Sequence, residues 1–106
     1  TLVFTGGIVG WDAQERFAAD DMAGQFQQVL ENTLAVLAEA GAGPQHVVRM
    51  TWYVTDIAEY RASLKAIGAS WQRLMGRNFP AMAVVEVTGL VEPAARIEIE
   101  TTAVIP

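Results

Sequence analysis

The residue pattern predicts an α+β domain built as a two-layer sandwich, with two helices on one face of a single sheet. Three observations carry this. Apolar residues recur at helical spacing in two separate stretches, Phe26 to Leu37 and Tyr60 to Leu74. Around and between them lie runs with the alternation or β-branched richness of strands. The order is strand, helix, strand, helix, strand, strand, so each helix follows a strand and can cover the apolar face of one sheet.

Leu2-Val3-Phe4-Thr5 reads as a short strand that breaks at Gly6-Gly7 and resumes at Ile8-Val9. A glycine pair inside a strand marks a bulge or a close backbone approach. Residues 10–21 are polar and acidic and read as a loop. From Asp21 to Ala40, Phe26, Val29, Leu30, Thr33, Leu34 and Leu37 form one helical stripe. Asp20 or Asp21 can cap its start, and Gly41 suits the position just past its end. Gly24 weakens the first turn by about 1 kcal/mol relative to Ala.

After the turn Gly41-Ala42-Gly43-Pro44, residues 46–55 alternate. Val48, Met50, Trp52 and Val54 are expected on the apolar face; Val47, Arg49, Thr51, Tyr53 and Thr55 on the mixed one. Asp56 and Glu59 fit a capping box. A single helix is expected from there to Gly76, with Tyr60, Leu64, Ile67, Trp71 and Leu74 inward. Pro80 leads into a strand over Ala81 to Thr88, a connection follows through Pro93, and the last strand runs from Arg96 to Val104. Its alternation is expected to place Arg96, Glu98 and Glu100 on one face and Ile97 and Ile99 on the other. The face with Arg49, Tyr53, Arg96, Glu98 and Glu100 has no third layer within the chain and is expected to pack against other copies.

With 106 residues, one domain over 1–106 is the default. Hydrophobic residues make up 52% and charged residues 18%, which is too apolar for disorder. It is also apolar for a monomer of this size, consistent with surface buried against another subunit. The net charge of −5 and seven scattered basic residues argue against nucleic acid as a partner. No run reaches the length of a membrane span. The absence of cysteine removes disulfides and thiolate chemistry and fits a reducing cytoplasm. The first residue is Thr1 rather than Met, and a short N-terminal segment is expected to be missing from the sequence.

Few residues invite chemistry by spacing alone. His46, the one histidine, stands beside Pro44 with no adjacent carboxylate or nucleophile, and reads as a loop residue. It is also a poor start for a metal site. Glu98 and Glu100 can do acid–base work if one carboxyl is raised by its neighbour, although strand carboxylates more often pair with basic neighbours such as Arg96 or Arg49. Gly6-Gly7 can present bare N–H groups to a carboxylate ligand, or form a plain bulge. Trp52 and Trp71 fit the core. Trp11, in the acidic loop, fits an interface, a pocket lid or a loop anchor.

Taken in order, Thr5-Gly6-Gly7-Ile8, Gln28-Val29-Leu30-Glu31-Asn32, the run Val47 to Asp56, Phe79-Pro80-Ala81, Val85-Glu86-Val87 and Ile97-Glu98-Ile99-Glu100 resemble the Rid family, also called YjgF/YER057c/UK114. The resemblance implies a chorismate-mutase-like fold with a mixed sheet, assembled as a homotrimer with the helices outside. It implies an extra strand before Leu2. It further implies cofactor-independent and metal-independent hydrolysis of enamines and imines, such as 2-aminoacrylate and 2-iminopropanoate, to a 2-keto acid and ammonia, in clefts between subunits. Glu98 stands where the family Glu positions the attacking water. Thr5 and Gly6 stand for a Ser-Gly pair whose backbone contacts the ligand. Met82 occupies the place of the Arg that binds the substrate carboxylate, and Val84 a place that is often Cys. The second helix lacks an Asn found near Leu64 or Lys65.

A thioether makes no charge-assisted hydrogen bond, so the Met82 position argues against efficient use of the usual small imino acid. It leaves the cleft to a more apolar, uncharged or aromatic ligand, or to a neighbouring Arg such as Arg77 or Arg96. Two readings result. One is an enamine or imine deaminase with Glu98 catalytic and Thr5, Gly6, Met82 and Val84 lining the substrate site. The other is a non-catalytic trimer that binds an apolar metabolite or a protein partner. Ribonuclease activity, also ascribed to the family, is disfavoured by the acidic balance and the lack of a His–His or His–Lys pair.

Overall fold

A computed structural model describes residues 1–106. The elements are β1 (Leu2–Phe4), β2 (Ile8–Val9), α1 (Met22–Glu39), a 3-10 turn (Pro44–His46), β3 (Val47–Val54), α2 (Ile57–Ala62), α3 (Leu64–Met75), β4 (Ala81–Glu86) and β5 (Ile97–Val104). They form an α+β fold with one mixed sheet. Its strand order is β1-β5-β3-β4, with β2 also paired to β5. The β3–β4 pair is parallel, as a helical crossover between neighbouring strands requires; the pairs involving β5 are antiparallel.

The helices lie on one face. Phe26, Val29, Leu30, Thr33 and Leu37 of α1 are buried as the stripe requires, and Met22 joins them. Asp21 caps the start by accepting from the Gly24 N–H, 3.2 Å. Gly41 closes the end at φ +80°. There the Ala42 N–H reaches the Leu37 carbonyl (2.9 Å) and the Gly41 N–H the Ala38 carbonyl (3.0 Å), a double bond pattern open to glycine. Under the helices, Met50, Trp52, Val54, Ile97 and Ile99 complete the core. Trp52 is its hub, with ring centres of Phe26, Trp71 and Tyr60 at 4.8, 5.8 and 6.3 Å.

Four expectations are corrected. The register between β3 and β5 shifts between Val47 and Arg49. That irregularity turns Val47 into the core and leaves Val48 exposed, the reverse of simple alternation. The second helix is divided at Ser63, whose N–H bonds Tyr60 O at 3.0 Å and whose hydroxyl takes Glu59 O at 2.7 Å. Leu64 is half exposed, while Ser70 and Met75 are buried. Half of the capping box forms: Asp56 accepts from the Glu59 N–H (3.0 Å), but Glu59 reaches instead to Met22 N–H and Arg96.

The last correction concerns Arg96. β5 begins one residue later, so Arg96 does not share a face with Glu98 and Glu100. Its Nη1 pairs with Glu59 Oε1 at 2.9 Å and its Nε donates to the Asp20 carbonyl. No helix is long and apolar enough to cross a membrane.

Candidate functional site

On the sheet face away from the helices, β1 ends at Phe4 and the chain crosses to β2 through Thr5-Gly6-Gly7. Thr5 closes a two-bond pair with Thr101. Its N–H donates to the Thr101 carbonyl at 2.9 Å, and its hydroxyl accepts from the Thr101 N–H at 3.0 Å. The side chain thus supplies a bond that the sheet ladder lacks where the backbone turns away. Gly6 and Gly7 are exposed, and their N–H groups enter no hydrogen bond of the chain.

Glu98 lies in β5 between Val9 of β2 and Tyr53 of β3. Its carboxylate rests over Gly7: a Cβ on Gly7 would overlap Glu98 Oε2. Glycine at this position therefore allows the carboxylate to settle against bare backbone. Two residues on, Glu100 Oε1 accepts from the Tyr53 hydroxyl at 2.7 Å. That bond, with smaller contributions from desolvation and from the charges of Glu100 and Glu98, raises the Tyr53 pKa. Beside it is a polar hollow of about 230 Å³ lined by Phe4, Thr5, Arg49, Thr51, Glu100 and Thr102.

Met82 and Val84 lie on the other side. The parallel register sets Met82 beside Met50 and Val84 beside Trp52, both core residues, so both point to the helix layer. Val84 packs against the core. Met82 emerges, 45% exposed, into an apolar hollow of about 340 Å³ whose walls include Tyr60, Leu64, Ile67, Trp71 and Phe79. No charged side chain lines it. Thus the Thr5-Gly6-Gly7 turn meets Glu98 through Gly7, Met82 and Val84 lie on the helix side, and the sheet separates the two groups. The largest hollow, about 610 Å³, lies between the 17–20 loop and the 88–96 connection and holds none of these residues.

Sequence patterns did not reveal what holds the Glu98 side in place. Gln25 is buried at 1% exposure. Its Nε2 donates to Ala19 O (3.1 Å) and Ala94 O (2.9 Å), and its Oε1 accepts from Arg96 N–H (2.8 Å). It fixes the start of β5, the strand that carries Glu98. The signal was a polar residue on the α1 stripe, next to Phe26. Asn32 does the same for β2, donating to Val9 O (3.1 Å) and Trp11 O (2.8 Å). With its ring 6.1 Å from Phe17, Trp11 acts as a loop anchor. His46 is a local cap: Gly43 N–H donates to its Nδ1 at 2.9 Å.

This chain, with its mixed sheet and two helical segments after β3, is similar to known proteins along nearly its whole length. The profile of the family described as Endoribonuclease L-PSP covers residues 1–105. The 2-iminobutanoate/2-iminopropanoate deaminase of Salmonella typhimurium is 32% identical over 104 residues, covering 98% of this chain and 80% of that protein. A Rid family protein of Yersinia pestis superposes with a TM-score of 0.87 at 35% identity, over 98% of this chain and 78% of that one. Escherichia coli TdcF with bound serine gives 0.86 at 25%, over 99% and 81%. The chain belongs to this Rid (YjgF/RutC) family.

Proposed function

We propose that the protein is a Rid-type hydrolase of enamines or imines bearing an apolar group, acting as a homotrimer at clefts shared between copies. The reading is supported by the deaminase names of its relatives. The observation that carries it is the Glu98 carboxylate seated over Gly7, beside the unengaged N–H groups of Gly6 and Gly7. Donors and a carboxylate converge there on one open surface, as hydrolysis of a polarised C=N bond needs. Water adds to the imine carbon while Glu98 accepts its proton. Glu98 returns that proton to nitrogen to give a carbinolamine, and the hydroxyl proton then passes to nitrogen as the C–N bond breaks and the C=O bond forms, so that a carbonyl product and ammonia leave. The Thr5–Gly6 backbone orients the ligand.

Met82 and Glu98 lie on opposite faces of the sheet, so one ligand touches both only where two copies adjoin. Met82, backed by Val84 packed on the core, then supplies an apolar wall in place of a charged carboxylate clamp. The test is Glu98→Ala. Turnover of a responsive imine should fall at least about tenfold, about 1.4 kcal/mol of transition-state stabilisation. A variant that turns over as fast as the parent would end the reading. A sedimentation mass of a single 11.5 kDa copy would end the shared cleft.

The uncharged Met82 hollow favours a second reading, a trimer that holds an apolar metabolite or a protein segment without reaction. In that case neither the parent nor Glu98→Ala hydrolyses any imine offered.

A further inference from the structure

Sulfur in this chain is confined to four methionines, because there is no cysteine. Three of them, Met22, Met50 and Met75, are buried at 0%, 1% and 1% exposure. Met82 alone stands open, at 45%. The fold therefore offers a soluble oxidant one thioether and hides the rest. Oxidation of sulfur follows access, and no thiolate is present to take the oxidant first.

That sulfur stands where a change of polarity has an effect and does little harm. Met82 is the second residue of β4, an edge strand that pairs only with β3. Val84, two residues on, packs against the core, whereas Met82 is not among the residues packed there. Its side chain instead walls the hollow of about 340 Å³ together with the exposed Leu64 and Phe79. Trp52 and Trp71 line the same hollow, and neither buried indole N–H has a hydrogen-bond partner. Buried donors are costly to leave unpaired. An oxygen on the Met82 sulfur brings an acceptor to the hollow that both of them border.

We infer that Met82 is a modification site, where a peroxide converts the thioether to the sulfoxide and turns the hollow from apolar to polar. The sulfur lone pair attacks one peroxide oxygen; the O–O bond breaks and an S–O bond forms. Sulfur gives up two electrons. The hydroxide released takes the proton of the new S–OH group and leaves as water. A thiol-dependent methionine sulfoxide reductase reverses the change, the oxygen leaving as water while two thiols become a disulfide. Control of turnover by this oxidation rests on the proposed function, in which Met82 walls the cleft; the oxidation itself does not. A cleft wide enough for a metabolite admits a peroxide, so assembly leaves the sulfur open.

The test treats the full chain with hydrogen peroxide and maps oxygen uptake by peptide mass spectrometry. Met82 should be oxidised at least about tenfold faster than Met22, Met50 or Met75, with the melting temperature kept. Binding of the neutral apolar dye Nile red should fall at least about threefold on oxidation and recover after sulfoxide reductase. Met82→Leu should take up no oxygen in the same time, and its dye binding should be the same before and after treatment. Met82→Gln, polar and of similar length, should bind the dye as weakly as the oxidised parent. Even oxidation of all four methionines, unchanged dye binding once Met82 is oxidised, or loss of dye binding in treated Met82→Leu overturns the inference. Imine turnover separates it from the hydrolase reading. If no imine is hydrolysed but the mapping and dye pattern hold, the modification site stands and the reaction falls. If an imine is hydrolysed with the same KM before and after oxidation of Met82, the reaction stands and the control by oxidation falls.

Discussion

On the helix side of the sheet, Met50, Trp52 and Val54 are sealed beneath the helix layer, and only at the β4 edge does an apolar residue, Met82, surface into a hollow. On the open side, Tyr53, Glu98 and Glu100 stand next to a glycine turn with free N–H groups. One side is apolar and largely closed to water; the other is polar and carries the carboxylates. Under the proposed function the contrast divides binding and chemistry between the two faces, so a single copy would carry two half-sites rather than one whole site. Activity in such an arrangement depends on assembly as much as on any residue.

Removing the hub of the helix side should have the largest effect. Trp52→Ala deletes a ring packed on three others and should cost about 3–5 kcal/mol in a urea melt. A cost below about 1 kcal/mol would show that the two faces are not so differently packed. Next is Gln25→Ala. It strands two carbonyls and the Arg96 N–H and should cost about 1–3 kcal/mol, with turnover falling as the start of β5 loosens. Glu98→Ala sharpens the comparison: large for turnover, within about 0.5 kcal/mol for stability, because the open face contributes little to the core. Arg96→Met should cost no more than about 1 kcal/mol, since its pair with Glu59 is part-exposed.

The smallest effect is a titration. The hydrogen bond to Glu100 holds the Tyr53 phenol above its ordinary pKa. A group raised on folding contributes below its unfolded value and loses that contribution as pH rises through the folded one. The Tyr53–Glu100 contact should therefore be unchanged from acid-neutral to neutral pH and be lost only in strong alkali. Glu100→Gln should move the phenol's ultraviolet titration down; no movement would remove the assignment.

The two-layer order and the α1 stripe could be read because Phe26, Val29, Leu30 and Leu37 face one core at one period. The irregularity in β3 could not: Val47 and Val48 are chemically alike, and alternation carries no mark where one of them steps out of register. Arg96 was misplaced because a period-two pattern does not show where pairing begins, and a buried amide on α1 decided that. Glu98 and the Thr5–Gly6 turn were recognisable as residues of interest. The face occupied by Met82 was not, because Ala81-Met82-Ala83-Val84-Val85 is apolar at every position and only the parallel register with β3 orients it.

The sheet has one further property, in its order of assembly. β5, the latest strand in the sequence, occupies the middle of the sheet and joins β1 and β2 to β3. While the ribosome has yet to release Ile97–Val104, the earlier strands have no common neighbour, and the greasy sides of α1 and α3 have only a partial floor to settle on. Loops that close across nearly the full length, such as Leu2 with Val104, make folding slow. Until β5 is made, a nascent copy therefore lacks the strand that joins the two parts of its sheet.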